Sequence, residues 1–483
     1  MSTLLTALRR RGRTIVAASL LPVFGVLATG CSLGGSMSAT PTPGAPLVRL
    51  WRYNQDIDPI RSTFQAFQSA HPNVVLKFKK KDLASYEITA LKSMASLQGP
   101  DIWSIPNEWI GDEEDQLVPL PSDYFFSAGT TTGLAPADAV KKLFPAGVAD
   151  QITRPDGSVD GIPTNLDTLQ LYYNPDLFQT AFQDFNRAQN NNSNSSAIDN
   201  VRALLRNAPT TWNDLVDQTK YLTRPDGAGG FARSAIALGT ADNVPNSSDI
   251  LQLLMLQNGS RIVSSDRRSP LFQVPITTSA GVQVNPGAKA LEFFSSFAQP
   301  GKPNYTWNPS MPSALDAFAQ GKVAMVIGYS DFESQLKIKY PRFRAEKAAV
   351  PQISLPTVQT PVNFFRFSLE AVTQTANNKA AAFGLLKAYT SSDITDSLAG
   401  EIKMRSPYLS TLNRNTDDYL NTQAITAQST FKLNRPVFDG AFRQMIVDAS
   451  QNNVPATDAV RAGAEKIGAV LSPPAVVATP TPN

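Results

Sequence analysis

Thiol and imidazole groups are almost absent from this 483-residue chain, which holds one cysteine, Cys31, and one histidine, His71. A single cysteine forms no disulfide within the chain and no cysteine-ligated zinc site. A single histidine leaves no multi-histidine metal site, and no Ser-His-Asp triad unless His71 is its base. His71 lies in Ala70-His71-Pro72-Asn73, between a helical and a strand pattern, so a turn is its expected place. Excess charge of one sign is lacking too: 43 Lys and Arg stand against 40 Asp and Glu. Arg9, Arg10, Arg11 and Arg13 all precede Cys31, and without them 39 basic residues face 40 acidic ones. Such a balance gives no electrostatic case for nucleic acid or for an anionic membrane face. No long apolar run is present near the start either. Ile15 to Ala28 is 14 residues, interrupted by Pro22 and Gly25, where a bilayer span needs ~20.

What the start of the chain does have is a basic head, a short apolar stretch and Leu27-Ala28-Thr29-Gly30-Cys31. This resembles a bacterial lipoprotein signal with Cys31 as the lipid attachment point, although Ala28 stands where that pattern prefers a Leu-like residue. An ordinary secretory signal with an incidental cysteine is the alternative. On the lipoprotein reading residues 1–30 are removed and acylation consumes the one thiol. Residues 31–46 follow as an uncharged tether rich in Ser, Gly, Thr and Pro, with a reach of roughly 20 Å. Residues 472–483 repeat that composition and read as a frayed tail.

Between them, hydrophobic residues at 42% and 36 prolines fit a large, well-punctuated α/β chain of two or three domains. Leu47 to Trp51 reads as a strand, Asp58-Pro59 as a helix start with Ile60, Phe64 and Phe67 on one face, and Val74, Leu76 and Phe78 as the next strand. A second helix is expected to bury Ile88, Leu91, Met94 and Leu97 before Gly99 to Trp103 turns into a short strand. Strands alternating with helices predict an open sheet with its ligand site beyond the strands' C-terminal ends. Thr153 to Gly157 and Thr223 to Gly227 repeat one Pro-Asp-Gly turn. Asn186 to Asn200 reads as an insertion loop. Thr211 and Asp214 predict a capped helix start, Gly321 a helix end before a strand at Val323 to Ile327. The last third is mostly helical.

Five segments in order resemble the extracellular solute-binding proteins of ABC importers, family 1, which includes maltose-binding protein. They are Leu50-Trp51, Gly99 to Trp103, Gly161 to Thr164 leading into Leu171 to Phe178, Pro209 to Trp212, and Phe318 to Met325. The resemblance implies two α/β lobes of the type II periplasmic-binding-protein fold, with hinge-linked open sheets and a helical C-terminal third. Lobe one is expected at 47–163, lobe two at 164–327, and the return to lobe one with the last helices at 328–471. Ile162 to Tyr173 is the expected crossing segment.

By position in the family pattern, the loop after the Gly99 to Ser104 strand faces the cleft and nominates Asn107, Glu108 and Trp109. Trp109 replaces a basic residue of maltose-binding protein there. Asp167 falls where the family places a sugar-binding carboxylate. Trp51 and Tyr53 end the first strand, Asn246 and Asp249 open a helix of lobe two, and Tyr329 follows its return strand. Tyr408 is a further aromatic candidate. Sugar sites combine aromatic faces with flat polar groups that pair with adjacent hydroxyls. For Trp51 and Trp103 a core position stands equally open. Trp212 reads as packing, Asp101 as a turn residue, and Asp112 to Asp115 as a solvated charge run, since it lacks the spacing and glycine of a calcium loop. Phe364, Phe365 and Arg366 fit either the cleft or the core.

The resemblance implies capture of a carbohydrate by a monomer outside the cell and delivery to an ABC permease, with no metal or cofactor, no catalysis and no membrane contact beyond the lipid anchor. The location implied is the outer face of the cytoplasmic membrane. A non-sugar solute such as a polyol phosphate, polyamine or peptide is the alternative ligand. A surface glycosidase using Glu108 and Asp167, or a receptor not coupled to transport, are the alternatives from other classes.

Overall fold

A computed structural model describes residues 46–472, apart from 54, 127–132, 190–194, 278–280 and 354–359. Cys31, the signal, the tether before Pro46 and the tail after Ser472 lie outside the described residues.

The opening strand Leu47–Tyr53 pairs in parallel with Val75–Lys81 on one side and Ile102–Pro106 on the other. Val48 and Leu50 are fully buried in its centre. The sheet then turns antiparallel: Ile102–Pro106 pairs with Ser368–Thr373, a strand arriving from far along the chain, which also pairs with Ile162–Pro163 and Leu117–Val118. The outer strand Val75–Lys81 carries Lys77, Lys79, Lys80 and Lys81, charges that protect a sheet edge from further pairing. Helices Arg61–Ala70 and Lys379–Tyr389 pack beside this sheet around one apolar core. Tight packing is enforced at Gly161, where a methyl group would lie 2.3 Å from the Glu370 carbonyl oxygen.

A second sheet runs Glu346–Ala348, Gln170–Tyr173, Val323–Gly328, Phe231–Ile236, Arg224–Pro225. All six residues of Val323–Gly328 are buried, as a strand covered on both faces requires. Its own apolar core takes in helices Ser247–Gln257 and Pro286–Ser296 and the two last helices, Arg435–Ser450 and Ala456–Leu471. The predicted helix Trp212–Leu222 begins with a reciprocal capping box between Thr211 and Asp214.

The chain passes between these lobes three times. Asp167–Thr168 pairs antiparallel with Phe365–Arg366, a two-stranded ribbon belonging to neither large sheet, and residues 427–432 make the third passage. Because Glu346–Ala348 pairs with Gln170–Tyr173, the chain stays in lobe two well past the expected exit at Ile327 and returns through Phe365–Arg366. The last two helices join lobe two.

Two local expectations change and one holds. Helix Leu83–Ala95 buries Tyr86, Ala90 and Met94, while Ile88 and Leu97 are 60% and 63% exposed. The apolar stripe follows i, i+4 spacing from Tyr86, whose hydroxyl donates to the Trp51 carbonyl at 2.7 Å, so the aromatic ring sets the phase. Within the expected insertion loop, helices reach Ala188 and resume at Ser195. His71 ends helix Arg61–Ala70, its ring stacked on Phe67 at 4.1 Å, in the turn position expected.

Candidate functional site

The passages between the lobes carry a continuous chain of charged and hydrogen-bonding side chains. From lobe one, Glu108 sits on the single turn Asn107–Trp109 that follows strand Ile102–Pro106. Asn107 fixes this turn: its Oδ1 accepts from the Phe367 amide at 3.0 Å and its Nδ2 donates to Ser429 at 3.3 Å. The Glu108 carboxylate then stands 4.0 Å from Lys432 Nζ. Lys432 lies on the third passage, its side chain only 6% exposed, and it also reaches Asp439 at 2.8 Å and Asp249 at 3.8 Å.

Asp249 belongs to lobe two. Helix Ser247–Gln257 starts after Asn246, a non-glycine residue in the left-handed region at φ 55, and Asp249 lies in its first turn, where the helix dipole favours a carboxylate. Its other oxygen accepts from the Tyr329 hydroxyl at 3.0 Å. Tyr329 follows strand Val323–Gly328, and the Arg366 guanidinium lies over its ring, 4.2 Å from the centroid. Arg366, on the hinge ribbon, donates to Asp167 at 3.1 Å and to Asp331 at 2.7 Å. Asp167, buried on the partner strand, also accepts from Ser330, at 3.2 Å from the amide and 2.8 Å from the hydroxyl. One network thus runs from lobe one through the third passage into lobe two and back to the hinge.

It contains five carboxylates and two cations, arranged unevenly. Lys432 is buried, whereas Glu108, Asp439 and Asp331 are each about half exposed. Burial works against the Lys432 ammonium, but Asp249, Asp439 and Glu108 outweigh it and hold it above the ordinary lysine value. Loss of hydration raises the Glu108 carboxyl, which Lys432 opposes and Asp249 reinforces. Burial also raises Asp167, against the pull of Arg366 and Ser330. Around Lys432 the half-exposed Glu108 and Asp439 carboxylates therefore face the open side while the ammonium that balances them lies beneath, a layout suited to accepting hydrogen bonds from neutral hydroxyls; at the hinge the order is reversed, with Arg366 partly exposed over a buried Asp167. Among the described residues, no cluster of three or more His, Cys, Asp or Glu side chains is arranged to hold a metal ion.

Of the nominated residues, Glu108, Asp167, Asp249 and Tyr329 come together here, with Asn107 supporting and Asn246 at the start of the Asp249 helix. The nominated aromatic platforms do not. Trp51 is buried in the lobe one core with Lys79 and Lys81 over its ring. Trp109 is buried against Tyr86 and Trp103 and covered by Arg435 at 5.0 Å. Tyr53 is half-buried and its hydroxyl is bonded to Ser368. Tyr408 packs on Phe144 inside lobe one and donates to the Thr390 carbonyl. Tyr329 itself is 1% exposed. None of Trp51, Trp109 or Tyr408 presents a face to a ligand.

Two participants escaped sequence reasoning. Lys432 carries no motif, although it shortly precedes Asn434 and Pro436, which cap and open helix Arg435–Ser450. Arg366 was undecided between cleft and core: Phe364 packs into lobe two, Phe365 into lobe one, and Arg366 takes the cleft. The Asp112 to Asp115 run is also not simply solvated. Asp112 accepts from the Arg435 side chain at 2.8 Å, Glu114 meets Arg154 at 3.0 Å and Arg267 at 3.4 Å. Arg435 and Arg267 both belong to segments packed with lobe two, so these acids tie the lobes together. Asp101 and Trp212 behave as expected: Asp101 accepts from the amides of Arg49 and Asn377, and Trp212 packs on Phe293.

Two open α/β lobes joined by a hinge ribbon, with polar groups of both lobes meeting between them, define a binding protein of the type II periplasmic class. Residues 62–425 match the family model for bacterial extracellular solute-binding proteins. The chain belongs to that family, the solute-binding proteins of ABC transporters. Among solved structures it is similar to a cyclic α-maltosyl-1,6-maltose binding protein from Arthrobacter globiformis, at 16% identity and TM-score 0.65, covering 89% of this chain and 99% of that one. The sugar-binding protein MalE from Xanthomonas citri is similar at 17% identity and TM-score 0.63, covering 88% and 97%. A solute-binding protein from Thermotoga lettingae, bound with α-D-tagatose, aligns at 15% identity and TM-score 0.60, covering 88% and 100%. No curated protein matches the sequence.

Proposed function

We propose that this protein captures a carbohydrate, an oligosaccharide in the first instance, between its two lobes and delivers it to an ABC permease. The observation that carries the reading is the meeting of Glu108 from lobe one with Asp249 and Tyr329 from lobe two through Lys432. A ligand bonded to both sides favours the closed arrangement, because only there are both half-sites within reach, and the shift equals its differential affinity for the two states. Structural relatives bound to tagatose and maltodextrins support a sugar. Recognition here would rest on carboxylates and the Arg366 and Lys432 donors more than on aromatic stacking, since the nominated rings are buried.

On this reading Glu108 and Asp249 bind ligand directly, while Asn107, Asn246 and Tyr329 position them and Asp167 holds Arg366 at the cleft. Lobe one comprises 47–163 plus the strand at 368–373 and its helices, and lobe two runs from 169 to about 353 with the last two helices. The family's extracellular setting places the protein in the cell envelope. Lipid attachment at Cys31, a monomeric state and a binding role without catalysis complete the proposal. The test is thermal denaturation of the purified protein against a panel of neutral mono- and oligosaccharides. A saturable rise in Tm with one of them, lost in Asp249→Asn, supports the reading; no rise with any saccharide, beside a rise with a polyamine or peptide, replaces it.

A further inference from the structure

We propose a second binding site, for a small multiply charged oxyanion, on the opposite side of the third passage from the cleft. A cavity of about 790 Å³ lies there, within the range of roughly 300–1,000 Å³ typical of small-molecule sites. One wall comes from lobe one at Ala146 to Arg154, another from lobe two at Ser260 to Arg267, and the floor is residues 425–431. It is distinct from the cleft. Helix Ser247–Gln257 presents Asp249 to Lys432 near its start and Leu256 to the cavity near its end, about 10 Å apart at 1.5 Å per residue. Successive residues of the passage likewise diverge, Lys432 serving the cleft and Phe431 lining the cavity.

The walls are basic. Lys141, Arg154, Arg261 and Arg267 line the cavity against one acid, Asp150. Arg154 and Arg267 are held in place: Arg154 by Glu114 and Asp160, Arg267 by Glu114 and by the carbonyls of Asp150, Gln151 and Thr153. Lys141 and Arg261 have no ion-pair partner among the described residues. Two further wall residues, Ser260 and Thr430, are more than nine-tenths buried and their hydroxyls have no hydrogen-bond partner. Arg267 adopts φ 61, the left-handed region that long side chains seldom occupy, and strain of this kind concentrates at ligand sites.

Lys141 and Arg261 are cations on the cavity wall without a carboxylate of their own, a lack that a carboxylate or phosphate oxygen supplies. A sugar is disfavoured, because the one aromatic ring in the wall, Phe431, is already covered by Arg267 at 4.2 Å. An occupant would touch both lobes and so bind differently as the hinge moves.

The test is isothermal titration of the full chain with citrate and with pyrophosphate, at ionic strength held constant with sodium chloride. Saturable binding of either anion is expected, citrate or pyrophosphate preference distinguishing a carboxylate from a phosphate ligand. Lys141→Ala/Arg261→Ala should weaken it at least about tenfold, the scale of one or two charged hydrogen bonds. Both residues are exposed, so the unliganded Tm should not change. Lys432→Met, which alters only the cleft, should leave anion affinity intact. The proposal is overturned if neither anion gives saturable heat up to about 10 mM, if the double variant binds like the parent, or if Lys432→Met alone abolishes binding. None of these outcomes depends on whether the cleft holds a sugar.

Discussion

Replacing Lys432 by Met removes the one cation shared by Asp439 at 2.8 Å, Asp249 at 3.8 Å and Glu108 at 4.0 Å. A pair at 4 Å is worth roughly 4 kcal/mol at an effective dielectric near 20, but the contacts do not count equally. Glu108 and Asp439 are half exposed, so solvent screens each to ~1 kcal/mol or less. Asp249 is 19% exposed and is left with a tyrosine hydroxyl as its only strong partner, so most of the loss falls there. The ammonium's own desolvation cost disappears with it. We expect a net destabilisation of ~2 kcal/mol at pH 7, below the ~3–5 kcal/mol of breaking a fully buried pair. The loss should shrink at pH 4, because the Glu108 carboxyl, held above its ordinary value, is then protonated and gains little from Lys432 in the parent. Urea denaturation of parent and variant at both pH values measures this. Equal losses at pH 4 and pH 7 would show that the Glu108 contact contributes nothing to the network, and that part of its electrostatics would fail.

Other expectations follow from the same structure. Burial, with Glu87 alongside, pushes the Glu113 carboxyl up to about 7; a raised folded-state value stabilises below the unfolded value of 4.5 and is lost as pH climbs to about 7. Stability of the parent should therefore fall by as much as ~3 kcal/mol across that window, and Glu113→Gln should flatten the fall in urea midpoints; an unchanged slope would assign it to other groups. Gly161→Ala drives a methyl onto the Glu370 carbonyl and should cost ~2–3 kcal/mol by thermal unfolding, whereas a neutral result would mean the strands separate freely. Tyr408→Phe removes one buried hydrogen bond and should lower stability by ~1 kcal/mol. Its ligand affinity should match the parent's; a weakened affinity would restore Tyr408 to the cleft.

Sequence reading succeeded where backbone chemistry is local. Thr211 with Asp214, Gly321 after a short helix, and Asp167 on a crossing strand declare themselves through capping, positive φ or position in an ordered set of landmarks. It faltered where a side chain's surroundings come from distant segments. Trp109 occupies the loop expected of a cleft residue, yet its ring is claimed by Trp103 on the preceding strand and by Tyr86 and Arg435, two residues that nothing in the local sequence brings near. Ile88 lies on a plausible apolar stripe, but Tyr86, bonded to the Trp51 carbonyl, rotates the helix so that another face is buried. Lys432 was invisible for the same reason: its importance lies in three carboxylates contributed by separate elements. The Asp112 to Asp115 run looked solvated because its arginine partners lie 40, 153 and 323 residues away, at Arg154, Arg267 and Arg435.

Capture of a sugar between the lobes is tested most directly by a crystal structure of the protein with the saccharide that raises its Tm most. The sugar is expected between the lobes, its hydroxyls donating to Glu108 and Asp249, with Lys432 beneath them and Asp167 still held by Arg366. A saccharide bound in the cavity beyond Phe431, or on one lobe alone with the Glu108 to Asp249 network undisturbed, would contradict it.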